Sequence, residues 1–142
     1  MVCKGQDQPC IWFALINAEY DEPNCKLDDN QHEIRVSIQG LRRIGRGNLH
    51  SYELILSEQG RPFCIDITQK TSRAAYHSGN YKKSGFINSD ETLDIIFLVK
   101  KASSCLSNSH QIILTCTLKH MHPGIKSLCT TVHKVSLVLT VV

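Results

Sequence analysis

The sequence predicts an all-β fold, a sandwich of two antiparallel sheets with little or no helix. Five segments alternate apolar and polar residues with a period of two, which is typical of strands that bury one face. No segment repeats apolar residues at helical spacing between capping residues. About seven short strands without crossover helices favour an immunoglobulin-like sandwich, while a C2-like arrangement or an open barrel would give the same pattern.

Alternation of apolar and polar residues defines five of the predicted strands. It is clearest in residues 32–40 and recurs in residues 52–57, 63–68, 112–119 and 132–142. A connection rich in turn-forming residues separates the second of these segments from the third, so we expect the two to pair as a β-hairpin. The side chains predicted to face the core are Ile34, Val36, Ile38, Leu54, Leu56, Phe63, Ile65, Ile67, Ile112, Leu114, Leu137 and Leu139.

Two further segments, residues 11–18 and 93–100, are apolar on both faces. Such segments are typical of central strands that are covered on both sides, which completes the count of seven. Three long connections then remain, at residues 19–31, 40–50 and 69–92. Loops of this length are uncommon in compact domains and often carry function, so we place the candidate sites there.

The composition suits an ordinary globular domain. The chain has 142 residues, which fits a single domain over residues 1–142. It ends inside an apolar run, residues 136–142, and from this we expect a domain excised from a longer protein. The net charge of +3 and the pI near 8.5 are mild, so charge neither requires nor excludes a nucleic-acid partner.

The cysteines predict a reducing environment. There are seven of them, an odd number, and they show no close pairing in the sequence. We therefore expect free, mostly buried thiols with no pair in disulfide geometry, and a cytoplasmic or nuclear protein. No apolar stretch is long enough to span a membrane as a helix.

The connection at residues 40–50 is the first candidate binding loop. It holds Arg42, Arg43 and Arg46 among three glycines, with no acidic residue in the loop. Guanidinium groups on a glycine-rich backbone suit phosphates or the carboxylates of a partner. The alternative is a flexible, solvated connection in which glycine serves turns of positive φ.

The segment at residues 69–92 is the second candidate. Arg73, Tyr76, Tyr81, Lys82 and Lys83 interleave basic and aromatic side chains, as in grooves that bind single-stranded nucleic acid. The alternative is that the aromatic rings pack the segment onto the sandwich.

Neither a metal site nor an active site is predicted. Cysteines and histidines crowd the last third of the chain but lack the close pairs of structural zinc sites, so we expect no metal and no cofactor. A Cys105–His110 pair is possible, although nothing around it indicates an activated thiol. The motifs of nucleotide-binding loops, nucleophile elbows and metalloprotease helices are missing, so we do not expect an enzyme.

These observations favour an intracellular protein-interaction domain without enzymatic activity. It would bind an acidic surface or peptide of another protein through its loops or through an exposed sheet edge. The alternative is a nucleic-acid-binding β-sandwich of Rel/p53-like architecture, with the loops at residues 40–50 and 69–92 on phosphates and bases. The oligomeric state is left open by the sequence.

The arginine loop gives the first testable prediction. Replacing Arg42, Arg43 and Arg46 together by Glu should leave the fold intact, because exposed substitutions typically change stability by less than about 0.5 kcal/mol each. Binding to an anionic partner should be abolished. Normal binding by a folded triple variant would make the loop a simple connector, and an unfolded variant, detected by circular dichroism, would make the arginines structural.

Overall fold

The structure, a computed structural model, consists of two β-sheets packed face to face. It describes residues 3–6, 14–40, 49–59, 63–70, 77–78, 80–88, 90–105, 110–121 and 132–142. Within these ranges there is no helix that could span a membrane. The strands are β1 (Cys3–Gln6), β2 (Ala14–Tyr20), β3 (Lys26–Leu27), β4 (His32–Gly40), β5 (Leu49–Gln59), β6 (Ile65–Gln69), β7 (His77–Ser78), β8 (Asn80–Asn88), β9 (Thr92–Lys101), β10 (His110–Met121) and β11 (Val132–Val141).

The first sheet has the strand order β1-β2-β4-β9-β6-β7, and the second has the order β3-β11-β10-β5-β8. Neighbouring strands pair antiparallel throughout, apart from the short parallel contact between β3 and β11. The prediction of an all-β sandwich is therefore confirmed, with more strands than the seven that alternation revealed.

The core lies between the two inner faces, as the alternation predicted. Of the twelve side chains expected there, all are buried except Phe63, which stands just before β6 and is partly exposed. The bounds predicted for β4 match the structure, and those for β10 and β11 differ by one or two residues. Alternation locates a strand and its buried face because successive side chains point to opposite sides.

The predicted hairpin is wrong. β5 pairs with β8 and β10 in the second sheet, whereas β6 pairs with β7 and β9 in the first. The connection after β5 therefore carries the chain from one sheet to the other. Periodicity shows which face of a strand is buried, but it does not show which strand lies beside it.

The segment at residues 69–92 is not a loop without regular structure. It contains the nine-residue strand β8 and the short strand β7. The inner face of β8 carries Tyr81, Lys83, Gly85 and Ile87, and of these only Tyr81 and Ile87 are buried. Two apolar positions six residues apart give too weak an alternation to predict a strand.

The two segments expected to be covered on both sides are half-exposed in their described parts. On β2, Asn17 and Glu19 point to solvent. On β9, the inner face is buried, while Ile96 and Leu98 on the outer face are partly exposed. Each segment therefore belongs to a sheet with one solvated face, as antiparallel sheets commonly have.

The inner face of β11 supplies a test of the core. Leu139 is fully buried and Val138, its neighbour on the opposite face, is 45% exposed. Leu139→Ala should cost about 2–5 kcal/mol, because it removes buried methyl groups and leaves a cavity. The matched control Val138→Thr keeps a β-branched side chain on the solvent face and should change stability by about 0.5 kcal/mol or less. Urea unfolding of both variants measures these costs, and equal values would contradict the placement of the core.

Candidate functional site

Five of the predicted site residues lie outside the described part of the chain. They are Arg42, Arg43, Arg46, Arg73 and Tyr76. Their proposed role on an anionic partner stays a prediction. The structure does describe the other three predicted site residues, Tyr81, Lys82 and Lys83, and places all of them on β8.

Tyr81 is a core side chain. It is 6% exposed, its ring packs edge-on against Phe97 at 5.1 Å, and its hydroxyl donates a hydrogen bond of 3.0 Å to Gln69. These contacts tie β8 to β9 and β6 of the other sheet. The packing interpretation of this aromatic therefore holds, and its ring is not accessible for stacking on a base.

β8 forms an edge of the second sheet. It pairs with β5 on one side, and among the described residues no strand pairs with its other side. Lys82 and Phe86 lie on the outer, exposed face of β8, and Phe86 is 63% exposed. Lys83 lies on the opposite face and is partly buried. An edge strand offers unpaired backbone groups to a further strand, which is the chemistry of strand addition.

Gly85 shapes the inner side of the same edge. A Cβ atom at this position would lie 2.7 Å from the hydroxyl oxygen of Tyr52, its cross-strand partner. The ring of Tyr52 is buried beneath the strand, and burial raises the pKa of its hydroxyl. Glycine therefore permits this close approach, and any side chain at the position would force the ring of Tyr52 to move.

A shallow cleft lies at the end of β2. It measures about 250 Å³ and is lined by Glu19, Tyr20, Asp21, Glu33 and Arg35. Ligand pockets usually occupy about 300–1,000 Å³ and are mainly apolar. This cleft is smaller than that range, so its size gives no support to a site for a drug-sized molecule.

Two cysteines and a histidine lie close together at the end of the sandwich where β5 and β9 finish. Cys64 and Cys105 are joined by a disulfide bond, and their Cα atoms are 4.6 Å apart. Nε2 of His110, at the start of β10, lies 3.7 Å from Sγ of Cys64. Nδ1 of His110 is buried and has no hydrogen-bond partner within the described ranges.

Glu58 holds this end of the sandwich together. Its carboxylate is 6% exposed and accepts hydrogen bonds from the backbone N–H of Cys64, at 2.8 and 2.9 Å, and of Ile65, at 3.0 Å. Burial raises the pKa of Glu58 above its ordinary value, although the two N–H groups and the nearby His110 act in the opposite direction. The carboxylate thus fixes the start of β6 from the end of β5.

The prediction of uniformly free thiols is wrong. Besides the Cys64–Cys105 bond, Cys25 is disulfide-bonded. Cys116 does match the prediction, since it is a free thiol in the core and burial raises its pKa to about 12. The assignment to cytoplasm or nucleus was based on free thiols, so it loses that support.

Sequence spacing could not reveal the cysteine pair. Cys64 and Cys105 are 41 residues apart, and they meet because Ile65 pairs with Lys101 across β6 and β9. The other cysteines and histidines of the last third do not gather in the described part. For example, His120 lies beside His50 at the opposite end of β10 from the disulfide.

Comparison with known proteins identifies a similar fold and no family. No protein-family model matches the chain, and no curated protein matches it. Among solved structures it is similar to AvmM, which catalyses macrocyclization in the biosynthesis of alchivemycin A. The TM-score is 0.51 at 11% identity, over 89% of this chain and 88% of AvmM. At that identity the likeness extends to the fold alone.

The buried carboxylate gives the next prediction. Glu58→Ala should destabilise the chain by about 1–3 kcal/mol or more, because two buried N–H groups lose their acceptor. Glu58→Gln retains one acceptor oxygen and should cost less. Glu53→Ala is the matched control, since Glu53 lies on the outer face of the same strand and is partly exposed. Urea unfolding that ranks Glu53→Ala as the most damaging of the three would contradict the role of Glu58.

Proposed function

We propose that the chain is a protein-interaction domain that adds an extended segment of a partner along β8, the strand at the edge of the second sheet in the described part of the chain. The observation that carries this proposal is the edge itself, a nine-residue strand with one side unpaired among the described residues. Backbone hydrogen bonds to such an edge give affinity, and side chains on alternate positions give specificity.

The side chains of β8 suggest the chemistry of the partner. Lys82 and Phe86 lie on the same face, four residues apart, and both are exposed. A strand paired with β8 would place side chains directly opposite them, where opposite charges and apolar pairs stabilise. We therefore expect an extended segment with an acidic and an apolar residue four positions apart. Lysines on the edge disfavour pairing with a second copy of β8, because like charges would face each other.

The nucleic-acid alternative is less well supported. Of the side chains proposed to contact phosphates and bases, only Lys82 and Lys83 remain available in the described part, and Lys83 is partly buried. Tyr81, the described aromatic of that set, lies in the core. Titration with single-stranded and duplex oligonucleotides at two salt concentrations separates the hypotheses, because binding to phosphates must weaken steeply with salt.

The proposed function is tested by selection from a library of random displayed peptides. Selected peptides should share the acidic and apolar pair, and should bind about 10-fold or more weakly to Lys82→Glu, since a like charge would stand opposite their acidic residue. Phe86→Asp should weaken binding similarly. Val138→Asp is the matched control on the far side of the same sheet and should bind normally.

Amide hydrogen exchange gives an independent measurement. A bound peptide should slow the exchange of β8 amides, because strand addition pairs the backbone groups of this edge. Selected peptides that bind both β8 variants as well as the wild-type chain, and that leave β8 exchange unchanged, would refute strand addition at this site.

A further inference from the structure

Three metal-binding side chains meet at the end of the sandwich opposite His50 and His120. One ligand atom each from Cys64, Cys105 and His110 lie within 4.8 Å of one another. In the oxidised chain the two sulfur atoms are bonded to each other. We propose that reduction of the Cys64–Cys105 disulfide converts this cluster into a Zn²⁺ site with two thiolate ligands and one imidazole ligand.

The spacing suits tetrahedral zinc. With Zn–S near 2.3 Å and Zn–N near 2.0–2.1 Å, tetrahedral geometry separates a sulfur from a nitrogen by about 3.6 Å and two sulfurs by about 3.8 Å. Sγ of Cys64 and Nε2 of His110 are already 3.7 Å apart. All three ligand atoms lie within 4.8 Å of one another. After reduction the two sulfur atoms must separate, and rotation about the side-chain torsions of the cysteines allows this.

The backbone keeps the cysteines together without the disulfide. The N–H of Ala102 donates to the carbonyl of Cys64 at 2.8 Å, and the N–H of Cys105 donates to the carbonyl of Ala102 at 3.0 Å. Glu58 binds the N–H of Cys64 from the other side. His110 is held by its pairing with Val141 in β11. The three ligands therefore stay adjacent when the covalent bond is removed.

The surroundings favour a cation. The carboxylate of Glu58 accepts hydrogen bonds from the backbone N–H of Cys64, so a negative charge lies close to the cluster. Three protein ligands and a water are the ligand set of zinc sites that keep an open position.

Reduction of the Cys64–Cys105 disulfide needs two electrons from an external reductant. A phosphine takes up one oxygen from water and supplies two electrons, and the disulfide becomes two thiols with protons from the medium. Each thiol releases its proton as it binds Zn²⁺, so metal uptake releases two protons and is favoured by rising pH. In the oxidised chain neither sulfur is a thiolate, so zinc does not bind there.

The test is a Zn²⁺ titration of the full chain in competition with a chromophoric chelator, before and after reduction by a phosphine. The reduced wild-type chain should bind one equivalent, and the oxidised chain should bind none at this site. Co²⁺ in place of Zn²⁺ should give the thiolate-to-cobalt absorption of a sulfur-ligated tetrahedral site.

Variants assign the ligands. Removing a residue that hydrogen-bonds to a metal ligand typically weakens metal binding about 10–100-fold. Removing a ligand itself, in His110→Ala or Cys105→Ser, should therefore weaken Zn²⁺ binding by about 100-fold or more. Cys25→Ser is the matched control, because it removes a different disulfide-bonded cysteine and should bind Zn²⁺ like the reduced wild-type chain.

Three results would overturn the proposal. The first is wild-type affinity in the reduced His110→Ala variant, which would place the metal on other cysteines. The second is failure of the reduced wild-type chain to bind Zn²⁺. Circular dichroism completes the test, since a chain that unfolds on reduction must regain its β spectrum when Zn²⁺ is added, and failure to do so counts equally against the site.

Discussion

The fold depends on the point after β5 where the chain passes from one sheet to the other. At this point Glu58, the last inward-facing residue of β5, accepts the N–H groups of Cys64 and Ile65 and so fixes where β6 begins. A tight turn would instead return the chain along β5 as a hairpin, and β9 would lose β6, one of its two neighbours in the first sheet. Burying a carboxylate costs free energy unless hydrogen bonds compensate. Here the donors are the N–H groups at the start of β6, so the burial of Glu58 is compensated only when β6 begins at this point. These hydrogen bonds hold the start of β6 where it can pair with β9.

The alternation of apolar and polar residues reports which face of a strand is buried, and this sets how much of the structure the sequence predicts. Alternation correctly identified the strand at residues 32–40 and the buried faces of β10 and β11, because a buried face leaves a direct pattern in the residues. It could not identify partners, so β5 and β6 were expected to form a hairpin. It also missed β8, whose inner face includes a lysine and a glycine. Gly85 is there because Tyr52 occupies the space of a side chain, which only the cross-strand register reveals.

The candidate sites were harder to predict than the core for a related reason. Binding groups come together through contacts between strands that are distant in sequence, and spacing along the chain carries no record of them. Cys64 and Cys105 illustrate this, since the pairing of β6 with β9 brings them together across 41 residues. The redox environment then determines whether these residues form a covalent cross-link or a pair of thiols beside an imidazole. The odd number of cysteines therefore says little about the compartment.

The similarity to AvmM shows why function must be argued from individual residues. At 11% identity the similarity extends to the fold alone, and any such sandwich needs an alternation of apolar and polar positions. Residues that satisfy the pattern therefore specify the fold and little else. Residues that depart from it carry more information: a buried carboxylate at Glu58, an exposed ring at Phe86, and a partly buried imidazole at His110. Each of these residues departs from the rule that apolar side chains are buried and polar ones exposed. Such departures are expected at functional sites. Phe86 lies on β8, the edge strand of the second sheet among the described residues, and Glu58 and His110 lie beside the cysteine pair.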